Sequence, residues 1–255
     1  MSAPSPAPGE WCVRLGGIAN APRRVICFPN AGGNAAMFRP WLKIAPLDVE
    51  LFAIQFPGRQ KRIREPPLRD FGAAIKAMLP VVVPLTGPRT VYFGDCTGAL
   101  FAYELIRALE AEQATGPGHL IASCCRAPDL PPRHPPLHRL DDTGLTEQIR
   151  ALGFAPDWLL NDAALLEGFL PLLRCDFELV EPYRHGADPP LGVPITAIAG
   201  AHDKITPLSD AAAWKAHTRD VFEFVEMEGD HDLPRTHPGE VMTLVLARTG
   251  TCHAD

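Results

Sequence analysis

One stretch decides the fold: Thr90-Val-Tyr-Phe-Gly-Asp-Cys-Thr-Gly-Ala-Leu-Phe-Ala-Tyr-Glu104. Its first four residues are β-branched or aromatic and predict a strand, and the run that follows Gly98 predicts a helix. Between them, Gly94-Asp-Cys-Thr-Gly98 has the G-x-S-x-G spacing of a nucleophile elbow, with cysteine in place of serine. Glycine on both sides leaves room for a nucleophile on a strained turn. The pattern therefore predicts that Cys96 is presented between strand and helix.

The elbow has two interpretations at this point. Cys96 can be an inert, packed cysteine on an ordinary turn, because most free cysteines are structural. Alternatively, the N-terminal amides of the helix face Cys96 and favour an anion there, either a thiolate or an oxyanion. In the second case we expect Cys96 to be the most readily alkylated cysteine of the chain.

Length and composition bound the class of protein. A chain of 255 residues that is 46% hydrophobic can bury the core of one α/β domain. Its formal charge of −6 argues against nucleic acid or an anionic membrane as the main partner. The seven cysteines form no C-x-x-C pair, so neither a metal site nor a disulfide framework is expected. This cysteine usage is typical of a cytoplasmic protein.

The first 20 residues and the length of the apolar runs predict the domain organisation. Residues 1–20 have neither a basic region nor an apolar core of a signal peptide and are predicted to be a disordered leader. No apolar run approaches the ~20 residues that span a bilayer. We therefore expect a single α/β domain over residues 21–255.

Two loops upstream of the elbow carry candidate functions. The run 24–28 predicts a buried strand, and the adjacent glycines at 32 and 33 allow the following loop to supply half of an oxyanion hole, although an ordinary tight turn has the same pattern. After a second strand at 49–56, four basic residues concentrate positive charge, either as a solvated loop or as a site for an anionic partner. These four are Arg59, Lys61, Arg62 and Arg64. A helix is predicted from Asp70 to Leu79, ending at Pro80.

An insertion is predicted after the next strand. Residues 119–123 read as a strand, and the five prolines between 128 and 136 exclude helix or strand interior. Apolar residues three and four apart then predict helices between 141 and 183. We expect a helical insertion at about 137–185, placed as a lid at the carboxyl edge of a parallel sheet.

Two further residues complete a possible catalytic set. Asp203 follows the predicted strand 194–200, and His231 follows the predicted strand 221–227. The order nucleophile, acid, base is that of an α/β-hydrolase. His202 and His237 compete with His231 for the role of base, and aspartates also cap helices. The three placements together favour Cys96, Asp203 and His231.

The motifs taken together resemble the type II thioesterases of polyketide and nonribosomal peptide assembly lines, over nearly the whole chain after residue 20. The segments that carry the resemblance are Phe28-Pro-Asn-Ala-Gly-Gly33, Gln55-Phe-Pro-Gly-Arg-Gln60, Glu65-Pro-Pro67, the elbow with Ala102-Tyr-Glu104, Arg126-Ala-Pro128, Leu173-Arg-Cys-Asp-Phe-Glu-Leu-Val180, Gly200-Ala-His-Asp203 and Gly229-Asp-His231. Two segments depart from the family pattern: the family has histidine where this chain has Asn30, and Gly-His-Ser-Met-Gly where this chain has residues 94–98.

The resemblance implies an α/β-hydrolase fold with a helical lid, acting on acyl groups held as thioesters on the phosphopantetheine of an acyl or peptidyl carrier protein, with no cofactor of its own. Carried over by position, it makes Cys96 the nucleophile, His231 the base and Asp203 its orienter. The backbone amides of Ala31 and Thr97 become the oxyanion hole. The four basic residues are then candidates for docking the acidic carrier or its phosphate.

The cysteine changes the expected reaction. It resembles that of small aminoacyltransferases of this fold, which move an aminoacyl group between carriers through a cysteine thioester. We therefore expect transfer of an acyl group through Cys96 to another thiol or amine in secondary-metabolite biosynthesis. Two alternatives remain: an editing thioesterase that hydrolyses aberrant acyl groups, and an inactive hydrolase fold that serves as a binding protein.

Overall fold

The computed structural model describes residues 11–250 and places a seven-stranded, mostly parallel sheet at their centre. The strand order is β1-β3-β2-β4-β5-β6-β7, with β1 antiparallel to β3 and every other pair parallel. The strands are β1 Cys12–Gly16, β2 Arg23–Phe28, β3 Val49–Ile54, β4 Thr90–Asp95, β5 His119–Ser123, β6 Ile195–Gly200 and β7 Phe222–Met227. The predicted α/β class with a mostly parallel sheet is confirmed.

Helices connect the parallel strands. The α-helices are α1 Phe71–Val82, α2 Thr97–Ala111, α3 Asp142–Leu152, α4 Asp157–Leu160, α5 Ala163–Val180, α6 Leu208–Ala212, α7 Leu233–Thr236 and α8 Pro238–Arg248. A nine-residue 3₁₀ helix, Ala35–Lys43, follows β2. Shorter 3₁₀ segments are Gln60–Arg62, Val83–Leu85, Leu137–Arg139 and Ala213–His217. The described residues contain no helix that is long and apolar enough to cross a membrane.

The core lies on both faces of the sheet because neighbouring side chains of a strand point to opposite sides. On β4, Tyr92 packs in a cluster with residues of α1 and α2. Val91 and Phe93 pack in a second cluster, with the 3₁₀ helix 35–43 and α8. The central strands are buried on both faces and read in sequence as continuous apolar runs.

Two predictions at the level of elements are wrong. Strand β1 lies inside the predicted disordered leader and pairs with β3 at the sheet edge, so the boundary at residue 20 is too late. The first ten residues lie outside the described part of the chain. Helix α1 continues through Pro80 to Val82, because the apolar positions Val81 and Val82 are buried against the sheet and this packing outweighs the lost hydrogen bond.

Helices α3, α4 and α5 lie between β5 and β6, at 142–180, where the sequence predicted a lid. They share a small apolar cluster of their own, which includes Leu145, Ile149, Leu170 and Leu173. Ala31, from the loop after β2, belongs to the same cluster. The lid thus has its own core and touches the loop that was predicted to line an oxyanion hole.

Candidate active site

Cys96 occupies a strained turn between β4 and α2. Its backbone has φ 48° and ψ −119°, which a residue with a side chain adopts at a cost of about 1 to 3 kcal/mol. A Cβ on Gly94 would collide with the Ala99 backbone, and one on Gly98 with the carbonyl of Phe28. Both glycines are therefore required for the elbow to close against α2 and the end of β2.

Asp203 and His231 meet at the carboxyl ends of neighbouring strands. The Nδ1 atom of His231 lies 2.8 Å from Oδ2 of Asp203, and both side chains are almost fully buried. The other oxygen, Oδ1, accepts hydrogen bonds from the amides of Ile205 at 2.8 Å and Thr206 at 3.0 Å. A carboxylate held this way accepts the Nδ1 proton and leaves Nε2 as the basic nitrogen.

The two histidines that compete with His231 for the role of base have other partners. His202 is exposed and pairs with Glu228, and the side chain of His237 contacts Thr236. The Nε2 atom of His231 is buried and has no hydrogen-bond partner among the described residues. An unpaired basic nitrogen in a dry site is costly unless a substrate or nucleophile uses it. The geometry thus singles out His231 as the candidate base.

Burial of Cys96 works against ionisation of its thiol. Burial raises the pKa of Cys96 well above its ordinary value, and the neighbouring Cys125 and Asp95 raise it further, while the amide of Thr97 opposes them. Desolvation thus opposes the thiolate that the helix N-terminus was expected to favour, and it is the larger of the two effects. A base must take the thiol proton when the thiol reacts.

The two predicted oxyanion donors line one small cavity. Ala31 and Thr97 both border it, together with Phe101 and Asp176. Thr97 is the first residue of α2, so its amide has no acceptor within the helix. The Ala31 amide donates no hydrogen bond in the part of the chain that the structure describes. The residues that carry the two candidate backbone donors thus border the same cavity.

A larger cavity of about 290 Å³ opens next to Cys96. Leu100 of α2 lines it from the sheet domain, and Phe154, Phe177 and Val180 line it from the lid. Arg126, Arg133 and Arg184 border it as well. An apolar cavity with a few charged groups suits the acyl part of a substrate together with a polar arm.

Two of the four basic residues predicted to dock a partner are buried. Arg59 is 4% exposed and pairs with Asp176, and Arg62 is 3% exposed and pairs with Glu65. The Arg62 guanidinium also lies 4.3 Å from the centroid of the Trp11 ring. Their assignment to a docking surface is wrong, because both charges are already engaged inside the fold. Lys61 and Arg64 are exposed.

The sequence reasoning missed two acidic residues near the site. Asp95 is 1% exposed, neither of its carboxyl oxygens has a hydrogen-bond partner within residues 11–250, and burial raises its pKa to about 7. Asp176 lies buried on α5 beside residues 29–34, the loop after β2 that is called the oxyanion loop below. The available signal for Asp95 was a carboxylate directly after the apolar run of β4. Asp176 carried no such signal, because Arg174 and Glu178 flank it on the helix.

A cluster of three side chains bears on the prediction that no metal is bound. Ligand atoms of Cys124, Asp203 and His231 lie within 4.8 Å of one another. Asp203 and His231 already use their facing atoms for each other, and burial raises the pKa of the Cys124 thiol well above its usual range. Metal ions need a deprotonated thiol, so the absence of a metal stays our prediction.

Comparisons with known proteins show the family to which the chain belongs. A family model described as "Thioesterase domain" matches residues 23–248. Thioesterase PikA5 of Streptomyces venezuelae is 35% identical over 228 residues, which cover 88% of this chain and 79% of that protein.

Two solved structures superimpose over almost the whole chain. One is RedJ, a thioesterase from the prodiginine biosynthetic pathway in Streptomyces coelicolor, with TM-score 0.83, 33% identity, and coverage of 98% of this chain and 95% of RedJ. The other is YbtT, a type II thioesterase from the yersiniabactin NRPS/PKS biosynthetic pathway, with TM-score 0.83, 27% identity, and coverage of 94% and 98%. These neighbours confirm the predicted α/β-hydrolase fold. With the family model spanning nearly all the described residues, this chain belongs to the thioesterase domain family.

Proposed function

We propose that this chain is a type II thioesterase that removes acyl groups from the phosphopantetheine thiol of a carrier protein in a nonribosomal peptide or polyketide pathway, through an acyl-enzyme on Cys96. The observation that carries the proposal is the buried Asp203–His231 pair, whose free Nε2 is at the sheet edge that also holds the elbow. The names of two relatives support a thioesterase activity, and that of YbtT supports an NRPS/PKS pathway. The carrier-bound substrate is what the resemblance to type II thioesterases implies.

The first half of the reaction follows from the residues. The Nε2 atom of His231 takes the thiol proton as Cys96 Sγ attacks the thioester carbonyl, and the resulting imidazolium is held by the carboxylate of Asp203. The carbonyl oxygen becomes an oxyanion that the amides of Ala31 and Thr97 stabilise. The carbon–sulfur bond to pantetheine then breaks, and the leaving thiolate recovers the proton from His231. The enzyme is left as a Cys96 thioester.

The second half decides the product. Water activated by His231 attacks the acyl-enzyme and releases a free acid, which is the editing hydrolysis that the family relatives favour. This alternative has more support from the comparisons than the transfer expected from the sequence.

Transfer to a second acceptor is the second candidate, and Cys96 itself favours it. A serine nucleophile converts a thioester into an oxyester and loses its activation, whereas a cysteine keeps a thioester. Acyl exchange between pantetheine and Cys96 is then nearly isoenergetic and can run in reverse onto another thiol or onto an amine. The lid residues Phe154 and Phe177 border the cavity and limit water there.

An inactive binding protein is the least supported alternative. A decayed site has no reason to keep a buried Asp–His pair with an unpaired Nε2, which costs stability. In both catalytic alternatives, hydrolysis and transfer, the partner is an acyl or peptidyl carrier protein, and the phosphopantetheine belongs to that partner.

A two-carrier assay tests the proposal. The chain is incubated with an acyl-loaded carrier and an empty acceptor carrier, and mass spectrometry follows acyl-Cys96, acyl-acceptor and free acid. Cys96→Ala is the matched control and should give none of the three above background. Free acid as the sole product supports editing hydrolysis, and acyl-acceptor in excess supports transfer. No adduct and no turnover with several acyl groups would favour the binding protein.

A further inference from the structure

A buried ion pair joins the loop after β3 to the lid. Arg59 and Asp176 form two parallel hydrogen bonds, Nη2 to Oδ1 at 2.6 Å and Nη1 to Oδ2 at 2.8 Å. Their side chains are 5% and 12% exposed. Burying such a pair costs several kcal/mol of desolvation, and an apolar pair of similar volume is often as stable. Stability alone is therefore a weak reason for charges at these positions.

Both partners also hold the backbone of the oxyanion loop. Oδ2 of Asp176 accepts a hydrogen bond from the amide of Gly32 at 2.7 Å. Nη1 of Arg59 donates to the carbonyl of Gly33 at 2.8 Å. The pair thus fixes the Ala31–Gly32 peptide through its N–H and the Gly33–Asn34 peptide through its carbonyl, and it uses the Gly32 amide in doing so. Within this loop the Ala31 amide is left to meet an oxyanion.

Apolar contacts tie the same loop to the same helix. The side chain of Ala31 belongs to the lid cluster with Leu173. Gly32 has φ +74°, and a Cβ there would meet the Phe169 ring of α5 at 2.5 Å. Asp176 itself borders the small cavity that Ala31 and Thr97 line. One face of α5 is therefore in contact with the loop for about two turns.

We infer that Arg59 and Asp176 are positioning residues that hold the Ala31 amide in place for the oxyanion, so that lid helix α5 is a structural part of the oxyanion hole. The inference rests on the proposed acyl-enzyme at Cys96. Neither side chain touches the substrate in this scheme. A misplacement of about 1 Å in a catalytic group can cost roughly 10²-fold in rate, and loss of one oxyanion donor costs about 10²- to 10³-fold.

The test separates reactions that form an oxyanion from one that does not. Formation of acyl-Cys96 from a small acyl thioester passes through a tetrahedral oxyanion. Alkylation of Cys96 by iodoacetamide needs the same thiol and the same base but no oxyanion hole. The variants are Asp176→Asn and the apolar pair Arg59→Met with Asp176→Leu, which removes both charges without leaving one of them buried alone. Asp142→Asn is the matched control. Asp142 pairs with Arg174, which lies on α5 like Asp176, and this ion pair is far more exposed to solvent than the Arg59–Asp176 pair.

We expect acylation by the small thioester to fall roughly 10- to 100-fold both in Asp176→Asn and in the apolar pair variant. The loss should be in kcat, with little change in KM. Iodoacetamide labelling of Cys96 should stay within twofold of the unmodified chain, as should both reactions in Asp142→Asn. Equal acylation by the unmodified chain and the apolar pair variant would overturn the inference while leaving the proposed function intact. Parallel losses of acylation and alkylation would also overturn it, since they indicate general disruption. If the unmodified chain itself forms no acyl-Cys96, the proposed function fails instead.

Discussion

Phe154 of the lid lies against the ring of His231. The two ring centroids are 6.0 Å apart with 31° between the planes, and Phe154 also packs edge-on against Phe177 at 5.4 Å. The candidate base is therefore covered by a residue of the insertion rather than of the sheet domain.

Phe154→Ala should increase hydrolysis relative to transfer. Removing the ring opens the cavity above His231 and gives water a path to the Cys96 thioester. Loss of the two ring contacts should also lower the free energy of unfolding by about 1 to 3 kcal/mol. The ratio of free acid to acyl-acceptor in the two-carrier assay measures the effect. Trp158→Ala is the control, since Trp158 is an exposed lid residue. An unchanged ratio in Phe154→Ala would show that the ring does not control access of water.

Cys96→Ser should shift the products or stall the enzyme. The seryl oxyester is less reactive toward thiols than the cysteinyl thioester, so return of the acyl group to a carrier becomes unfavourable. We expect acyl-acceptor to fall below detection, with either slow release of free acid or an accumulated oxyester. Intact-protein mass spectrometry distinguishes these two outcomes. Transfer by Cys96→Ser at the rate of the unmodified chain would contradict the role assigned to the thioester.

Asp95→Asn should change how stability depends on pH. Burial raises the pKa of Asp95 from 3.8 to about 7 in the folded chain. The folded state thus holds this proton more tightly than the unfolded state, and its contribution to stability is lost as pH rises from about 4 to 7. Each unit of pKa corresponds to about 1.4 kcal/mol, so the loss is on the order of 4 kcal/mol.

Urea unfolding at several pH values between 4 and 8 checks this prediction. The unmodified chain carries the full cost of ionising Asp95 at pH 8, whereas the amide of the variant carries none. The free energy of unfolding of Asp95→Asn relative to the unmodified chain should therefore increase from pH 5 to pH 8. A constant difference between the two proteins over this range would mean that Asp95 ionises normally.

Lys61→Glu with Arg64→Glu should weaken recognition of the carrier. These are the two basic residues of the loop that remain exposed, and an acidic carrier would lose their attraction. We expect a higher KM for carrier-bound substrates, a weaker dependence on salt and unchanged kinetics with small thioesters. Lys215→Glu, an exposed charge reversal outside this loop, serves as the control. Equal effects on carrier-bound and small substrates would exclude this loop as a docking site.

The elbow, the order of the candidate catalytic residues and the parallel sheet could all be predicted from local sequence patterns. These features follow from local rules: strand residues, then two glycines around a strained Cys96, then a helix, with Asp203 and His231 at the ends of later strands. Parallel strands bring their carboxyl ends to one edge, so local pattern and topology were enough to bring Asp203 and His231 together.

Which charged side chains are buried, and which groups they bind, became visible in the folded chain alone. Arg59 reads as part of a solvated basic loop, yet it pairs with Asp176, 117 residues further along the chain. The leader segment became strand β1 because an open edge of β3 was available to pair with it. The pKa values of Cys96 and Asp95 are raised by desolvation, which depends on every element packed around them. The burial of these charged groups and their long-range pairing are properties of the assembled fold, and the local sequence around Arg59 does not show them.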